Sequence, residues 1–213
     1  LTLRVNPIPS PEADPDPIVV CDDDNDGFGE FDLELRTLEI TNGELDVEIT
    51  YHETQQEAEQ STSAITGLYT NIVLNNQMIY VRSQNTITGC YSLTFNTLEL
   101  IVVPSPEVPI AIVPYILCDD DTNGSTQFDL TTKDAEILGT QNPSDVLLTY
   151  HISAADAQSG TSPIINTTNY TNTSNPQPIY VRLFNPSTSC EDTGLFELQV
   201  QLPPEAVAPT PLE

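Results

Sequence analysis

The sequence predicts a mainly β protein: two tandem immunoglobulin-like β-sandwich domains with short helical insertions. Three observations carry this. A unit of about a hundred residues occurs twice, short apolar stretches alternate with period two, and Pro, Asn and Gly punctuate the gaps between them. The chain has 213 residues and 38% hydrophobic content, which suits two domains with modest cores.

The repeat fixes the order of elements. Cys21 faces Cys118, Tyr51-His52 faces Tyr150-His151 and Cys90 faces Cys190, at offsets of 97, 99 and 100 residues. Each copy opens with a short apolar strand before its first cysteine, 18–20 (IVV) and 115–117 (YIL). The stretches 47–51 (VEITY) and 146–150 (VLLTY) read as the next strands. Segments 78–83 (MIYVRS) and 178–184 (PIYVRLF) alternate, as do 98–103 (LELIVV) and 196–202 (FELQVQL). Good helix formers at 53–60 (ETQQEAEQ) and 153–160 (SAADAQSG) predict one or two helical turns. A second helical piece is expected at 128–139, with Thr131 and Asp134 as a capping box and Gly139 as its stop, and a looser copy at 31–43.

Proline clusters mark the joints, because proline cannot continue a central strand: Pro7, Pro9 and Pro11; Pro104 and Pro106; Pro203 and Pro204. Residues 1–12 read as the terminal strand and linker of a preceding repeat. Residues 13–106 are the first repeat, 107–205 the second, and 206–213 a linker whose final Leu-Glu has the form of a cloning scar. The start shows no signal-peptide pattern, and no apolar run is long enough to span a bilayer.

Thirty-two acidic residues stand against five basic ones, a net charge of −27. Such a polyanion is repelled by nucleic-acid phosphates and anionic lipid, and it attracts cations. Neither nucleic acid nor membrane insertion is expected of it.

Four cysteines occur two per repeat. Of the three possible connectivities, only Cys21–Cys90 with Cys118–Cys190 keeps each repeat self-contained. Free thiols or a metal site are the alternatives, but the C-x-x-C spacing of a zinc site is missing. Disulfides imply an oxidising compartment, outside the cytosol.

Behind each first cysteine stands an acidic loop, Asp22-x-Asp24-x-Asp26-Gly27 and Asp119-x-Asp121-x-Asn123-Gly124. Oxygen donors at alternate positions, followed by a glycine that permits the sharp turn, form the opening of a calcium loop. The backbone carbonyls of Phe28 and Ser125 would add to it. Position twelve is Leu33 or Leu130, so this is not an EF-hand; Asp32 and Asp129, one place earlier, are the expected closing carboxylates. The competing reading is a solvated turn with Asp32 as a helix N-cap. Adjacent carboxylates repel one another unless a cation lies among them.

Taken together, CDDDNDGFGEFDL, TYH…AEQSTSAI, IYVR and TGCYSL resemble repeats of very large secreted surface adhesins of gliding and marine Bacteroidota, exported by the type IX secretion system. The resemblance covers both repeats. It implies an extracellular, immunoglobulin-like stalk or adhesin segment at the cell surface, whose partners are neighbouring repeats of the same chain and a surface glycan or protein ligand.

The remaining candidates are expected to be structural. His52 and His151 recur at matching sites, as polar groups at a strand end, and Arg82 and Arg182 are each expected to pair with an acid of their own domain. The sequons at Asn166, Asn169 and Asn172 read as a polar loop. No nucleophile–base pair is apparent, so no enzyme activity is expected. The function expected is a calcium-stiffened, disulfide-stapled spacer; the rival is a carbohydrate-binding module.

Overall fold

In the long strands, apolar and polar residues alternate, and burial follows them: along Gln177–Phe184 every second side chain is buried. The structure, a computed structural model, describes residue 3 and residues 5–92, 96–119 and 121–201. It divides into two units, Leu1–Pro104 and Ser105–Glu213.

The first unit runs β1 (Ile18–Asp22), β2 (Glu30–Phe31), a 3₁₀ turn (Leu33–Arg36) leading into α1 (Thr37–Thr41), β3 (Val47–His52), α2 (Gln55–Gln60), β4 (Tyr69–Thr70), β5 (Asn76–Asn85) and β6 (Asn96–Pro104). The second repeats this with β7 (Tyr115–Cys118), β8 (Gln127–Phe128), a 3₁₀ turn (Leu130–Lys133), α3 (Asp134–Leu138), β9 (Leu147–His151) and α4 (Ala154–Ser159). It then adds a further 3₁₀ turn (Thr167–Asn169) before β10 (Tyr170–Thr171), β11 (Gln177–Phe184) and β12 (Glu191–Gln201).

Each unit is sandwich-like. A four-stranded sheet, ordered β1-β6-β5-β3 or β7-β12-β11-β9, is accompanied by a two-stranded ribbon, β2-β4 or β8-β10. The first strand pairs parallel to the last: Cys21 lies opposite Val103 in one unit and Cys118 opposite Gln201 in the other. The other pairings in the large sheets are antiparallel. Phe31, Leu33, Ile40, Ile79, Leu98 and Leu100 fill the first core, and Phe128, Leu130, Ile137, Ile179, Phe196 and Leu198 the second. The same repeat positions supply both.

The short helices lie where the composition placed them, but one cap differs. The turn after β8 is capped by Asp129, whose carboxylate accepts from the Thr131 amide at 3.1 Å, not by a Thr131–Asp134 box. Gly139 does end α3. Of the strand expected at the start, Leu1, Thr2 and Arg4 lie outside the described residues; Leu3 and Val5 are 88% and 94% exposed and belong to no strand. The final Leu-Glu also lies outside the described residues.

Candidate metal loops and the cysteine pairs

The acidic loops are built around one buried carboxylate each. Asp22, 4% exposed, accepts from the amides of Asp26 (3.1 Å) and Gly27 (2.7 Å). Asp119, 2% exposed, accepts from Asp121 (3.0 Å), Thr122 (2.9 Å) and Gly124 (2.6 Å). A carboxylate at this position therefore folds the chain back on itself, a local side-chain-to-backbone closure. The Gly124 amide, followed by other donors in the loop, holds the Asp119 carboxyl below the usual carboxylate range.

In the first loop Asp22, Asp24 and Asp26 each offer an oxygen within 4.8 Å of the others. The charge of Asp26 beside Asp24 raises the Asp24 carboxyl above its ordinary value, the expected result for like charges held together. In the second loop part of the donor set is turned inward. Asn123 donates from its amide nitrogen to Asp121 at 2.7 Å, and its side-chain oxygen accepts from the Ser125 amide at 2.7 Å. The Phe28 amide donates to Asp26 at 2.8 Å.

Asp32 and Asp129 do not join these groups. Asp32 caps the turn Leu33–Arg36 by accepting from the Glu34 amide at 3.1 Å, and Asp129 caps its counterpart. Three oxygens come together in the first loop among the described residues, with no closing carboxylate from position eleven. The two-residue strands β2 and β8 carry the chain away from the loop before the acid is reached.

What closes each loop is an asparagine. Asn71, 2% exposed, donates to the carbonyls of Gly27 (3.0 Å) and Val73 (2.8 Å) and accepts from the Gly29 amide (2.7 Å). Asn172 repeats all three bonds with Gly124, Ser174 and Thr126, at 3.0, 3.0 and 2.7 Å. The signal was present in the sequence as the tripeptide Tyr-Thr-Asn at 69–71 and 170–172. Its meaning was hidden because the asparagine lies more than 40 residues from the loop that it closes. Gly27 is required by its backbone: its φ is +84°, a conformation that residues with a Cβ rarely adopt.

The cysteine pairing differs from the expected one. Cys21 and Cys190 are disulfide-bonded, whereas Cys90 and Cys118 carry free thiols. Neither Cys21–Cys90 nor Cys118–Cys190 forms. The reason lies in the parallel pairing of first and last strands. Cys118 sits opposite Gln201 at one end of β12, and Cys190 precedes Glu191 at the other. At ~3.3 Å per residue the 11-residue strand puts about 33 Å between its ends. A disulfide needs Cα atoms about 4.4–6.8 Å apart. In the first unit Cys21 lies opposite Val103, beyond the Asn76 end of β5, while the Cys90 carbonyl accepts from Asn85 at the other end, 2.8 Å away. Each unit thus carries one cysteine at each end.

The other recurring polar residues are internal braces. His52 and His151 are fully buried; Nδ1 lies 2.8 Å from the carbonyl of Thr62 or Thr161, and Nε2 within 3.0 Å of Thr50 or Thr149. The Nδ1 atom must donate to the carbonyl, so Nε2 accepts from the hydroxyl. Arg182 pairs with Glu191, as expected. Arg82 does not pair with an acid among the described residues; Tyr91 stands where Glu191 does, and the guanidinium stacks 3.8 Å from its ring centre while donating to the Ala58 carbonyl at 3.1 Å. Asn172 is in a sequon but has its amide nitrogen committed to two carbonyls.

Fold and site define a class: tandem β-sandwich repeats with one cysteine at each end of the sheet and an acidic loop behind the first. The chain belongs to the family described as the Flavobacterium inter-domain disulphide bond domain, which matches residues 17–106 and 114–204. No curated protein matches the chain. Among solved structures it is similar to the human mucin-like protocadherin EC1-2, with 16% identity and a TM-score of 0.26 over 75% of this chain and 86% of that one. The human desmocollin-1 ectodomain aligns with 13% identity and a TM-score of 0.26, over 97% of this chain and 39% of that one. Drosophila N-cadherin EC1-3 aligns with 11% identity and a TM-score of 0.25, over 75% and 57%.

Proposed function

We propose that the chain is a spacer segment of a long extracellular surface adhesin or stalk, in which disulfides join successive repeats and calcium stiffens the acidic loops. Tandem repeats of this family with the disulfide Cys21–Cys190 fit a structural extracellular segment, since such bonds persist in oxidising surroundings. The observation that carries the reading is the pairing itself. A bond internal to a repeat strengthens that repeat alone, whereas one that leaves the repeat makes the array a continuous covalent strap.

Non-reducing peptide mapping tests the strap. A Cys21–Cys190 peptide supports it, and recovery of Cys21–Cys90 would overturn it. The calcium element rests on the three carboxylates of the first loop. Asp22, Asp24 and Asp26 would hold the ion, with the carbonyl of Phe28 as a further donor; in the second loop Asp119, Asp121 and Asn123 would do so, with that of Ser125. Such a cation would cancel the repulsion between Asp24 and Asp26. Melting with millimolar calcium against chelator checks this, and an unchanged melting temperature sinks it. Export by the type IX route and attachment at the cell surface belong to the same proposal and rest on the resemblance to Bacteroidota adhesin repeats.

One observation favours the carbohydrate-binding reading as a second possibility. The first unit holds a cleft of about 450 Å³ lined by Leu33, Glu34, Thr37, Ile49, Tyr51 and Ile65. Two of its hydroxyls, on Thr37 and Tyr51, lie 3.0 Å apart at the wall. Glycan-array binding at saturating calcium separates the two, because a pure spacer gives no hits.

A further inference from the structure

A cleft lies at the same repeat position in both units. In the first it is bounded by the turn Leu33–Arg36, β3 and the connection to β4, and holds about 450 Å³; its counterpart in the second holds about 160 Å³. The frames match: the Ile65 amide donates to the Tyr51 carbonyl at 2.8 Å, and the Ile164 amide to that of Tyr150 at 2.7 Å. The connection beyond them differs. Residues 66–68 lead from Ile65 to Tyr69, whereas the longer stretch 165–169 leads from Ile164 to Tyr170. The longer one forms the turn Thr167–Asn169, which packs on the turn Leu130–Lys133 and places Thr167 on the cleft wall. In the first unit Thr66 and Gly67 line the cleft instead, and it stays open.

The polar groups differ in the same sense. In the second cleft the carboxylate is engaged: the Tyr150 hydroxyl donates to Asp134 Oδ1 at 2.5 Å. In the first, Thr37 stands where Asp134 does and shares a hydrogen bond of 3.0 Å with the Tyr51 hydroxyl. The carboxylate has moved to Glu34, opposite Thr131, in a turn closed by the Thr37 amide on the Glu34 carbonyl. It is exposed and has no ion pair or hydrogen bond among the described residues. Burial pushes the Tyr51 hydroxyl above its ordinary value against the hydrogen bond of Thr37, and the charges of Glu34 and Asp32 push it further. Glu34, Thr37 and the Tyr51 hydroxyl thus make one polar, negative end, and Leu33, Ile49 and Ile65 supply apolar wall. No basic side chain lines the cleft among the described residues. Tyr51, its aromatic residue, is 5% exposed, so no ring face is open for a sugar to stack on.

The surroundings differ as well. Leu35, Leu38 and Leu68, next in sequence to the lining residues Glu34, Thr37 and Gly67, are 65%, 86% and 63% exposed. Their counterparts are Thr132, Ala135 and Asn169. Exposed apolar surface grouped about a polar site marks contact with another protein. The open cleft, the unpaired acid and the leucines occur together in the first repeat and not in the second.

We propose that the cleft of the first unit binds a basic side chain, lysine or arginine, of a partner protein. Its alkyl stem packs on Leu33, Ile49 and Ile65, its charged head pairs with Glu34 beside the Thr37 and Tyr51 hydroxyls, and apolar neighbours in the partner cover the leucines. A basic side chain combines the apolar stem and charged end that this lining requires. The net charge of −27 draws such a partner in and repels an anionic one. The spacer reading does not depend on this site, and the carbohydrate reading of the same cleft is an outcome of the test.

The probe is a capped leucine–lysine–leucine tripeptide, titrated into the full chain at low salt and followed by ¹H–¹⁵N NMR. Saturable shifts are expected at the amides of Thr37, Tyr51 and Ile65, and none at Asp134, Tyr150 and Ile164. Glu34→Gln, at an exposed position, is expected to weaken binding about threefold, and added salt to weaken it in the wild type. Four results overturn the proposal: no saturable shift, equal affinity for a leucine–glutamine–leucine tripeptide, unchanged affinity in Glu34→Gln, or n-pentylammonium bound as tightly as the tripeptide, which would make this a site for small amines. A disaccharide that shifts the same amides at lower concentration than the tripeptide does also overturns it, and puts the carbohydrate reading in its place.

Discussion

Asn71 shows how much of the loop depends on one side chain. It is buried and satisfied, with its oxygen on the Gly29 amide and its nitrogen on two carbonyls. Removing it strands those groups beneath the surface, so Asn71→Ala is expected to cost about 2 kcal/mol in a thermal or denaturant melt, while Asn166→Ala, at an exposed position, costs nothing measurable. The two carboxylates of opposite tendency make a second residue-scale prediction. Asp24 is raised by its neighbour Asp26, so its folded form gains on protonation and loses stability as pH rises through the folded value. Asp24→Asn should therefore stabilise the protein slightly in chelator at neutral pH. In calcium it should forfeit the gain that the wild type shows, if the proposed site is filled. Asp119 is lowered, mainly by the Gly124 amide; its contribution is present above the ordinary value of 3.8 and is lost as pH falls through the folded one. In Asp119→Asn the acid limb of the stability–pH curve should be shallower than in wild type.

Short elements depend on their caps, because a helix of six residues has little cooperativity of its own. At α4 the Ser153 hydroxyl accepts from the Asp156 amide at 3.1 Å, and Gly160 takes the left-handed conformation that ends it. At α2 a full capping box joins Thr54 and Glu57. Ser153→Ala or Thr54→Ala is expected to lower stability by about 1 kcal/mol, read as a shift in the denaturant midpoint with an unchanged slope. Both helices also meet an arginine from the long strand nearby. The Ala58 carbonyl of α2 accepts from Arg82, and the Gly160 Cα would bring a Cβ within 3.1 Å of the Arg182 guanidinium. Elements that look like insertions in the sequence are thus tied to the sheet.

At the scale of the whole molecule the disulfide encloses 168 residues between Cys21 and Cys190. In the chain-entropy picture, closing a loop of that length restrains the unfolded chain by about 5 kcal/mol. Reduction, or Cys21→Ser, is expected to lower the melting of residues from both units, which hydrogen exchange resolves by segment. Stabilisation confined to one unit would instead mark an internal bond. The charge of −27 adds self-repulsion, so added salt should raise the melting temperature even where no specific ion binds.

The sequence by itself determined the repeat, the β character, the positions of the strands and short helices, and the sharp turns at Gly27 and Gly124, because these follow from local periodicity and local backbone freedom. Only the tertiary structure decided the cysteine partners, the closing residue of the acidic loop and the role of Asp32. The first two depend on which strands lie side by side; for Asp32 the structure chose the helix-cap reading over the closing carboxylate, through the Glu34 amide two residues on. Parallel pairing of β1 with β6, and of β7 with β12, sends the two cysteines of a repeat to opposite ends, and no reading of spacing along the chain contains that fact. Asn71 reaches Gly27 for the same reason: β4 pairs with β2 and brings the asparagine beside the loop. The short strand β2 turns Asp32 away from the loop and onto a helix end. Local chemistry was legible wherever the partner lay nearby in sequence; it was hidden wherever sheet topology supplied the partner.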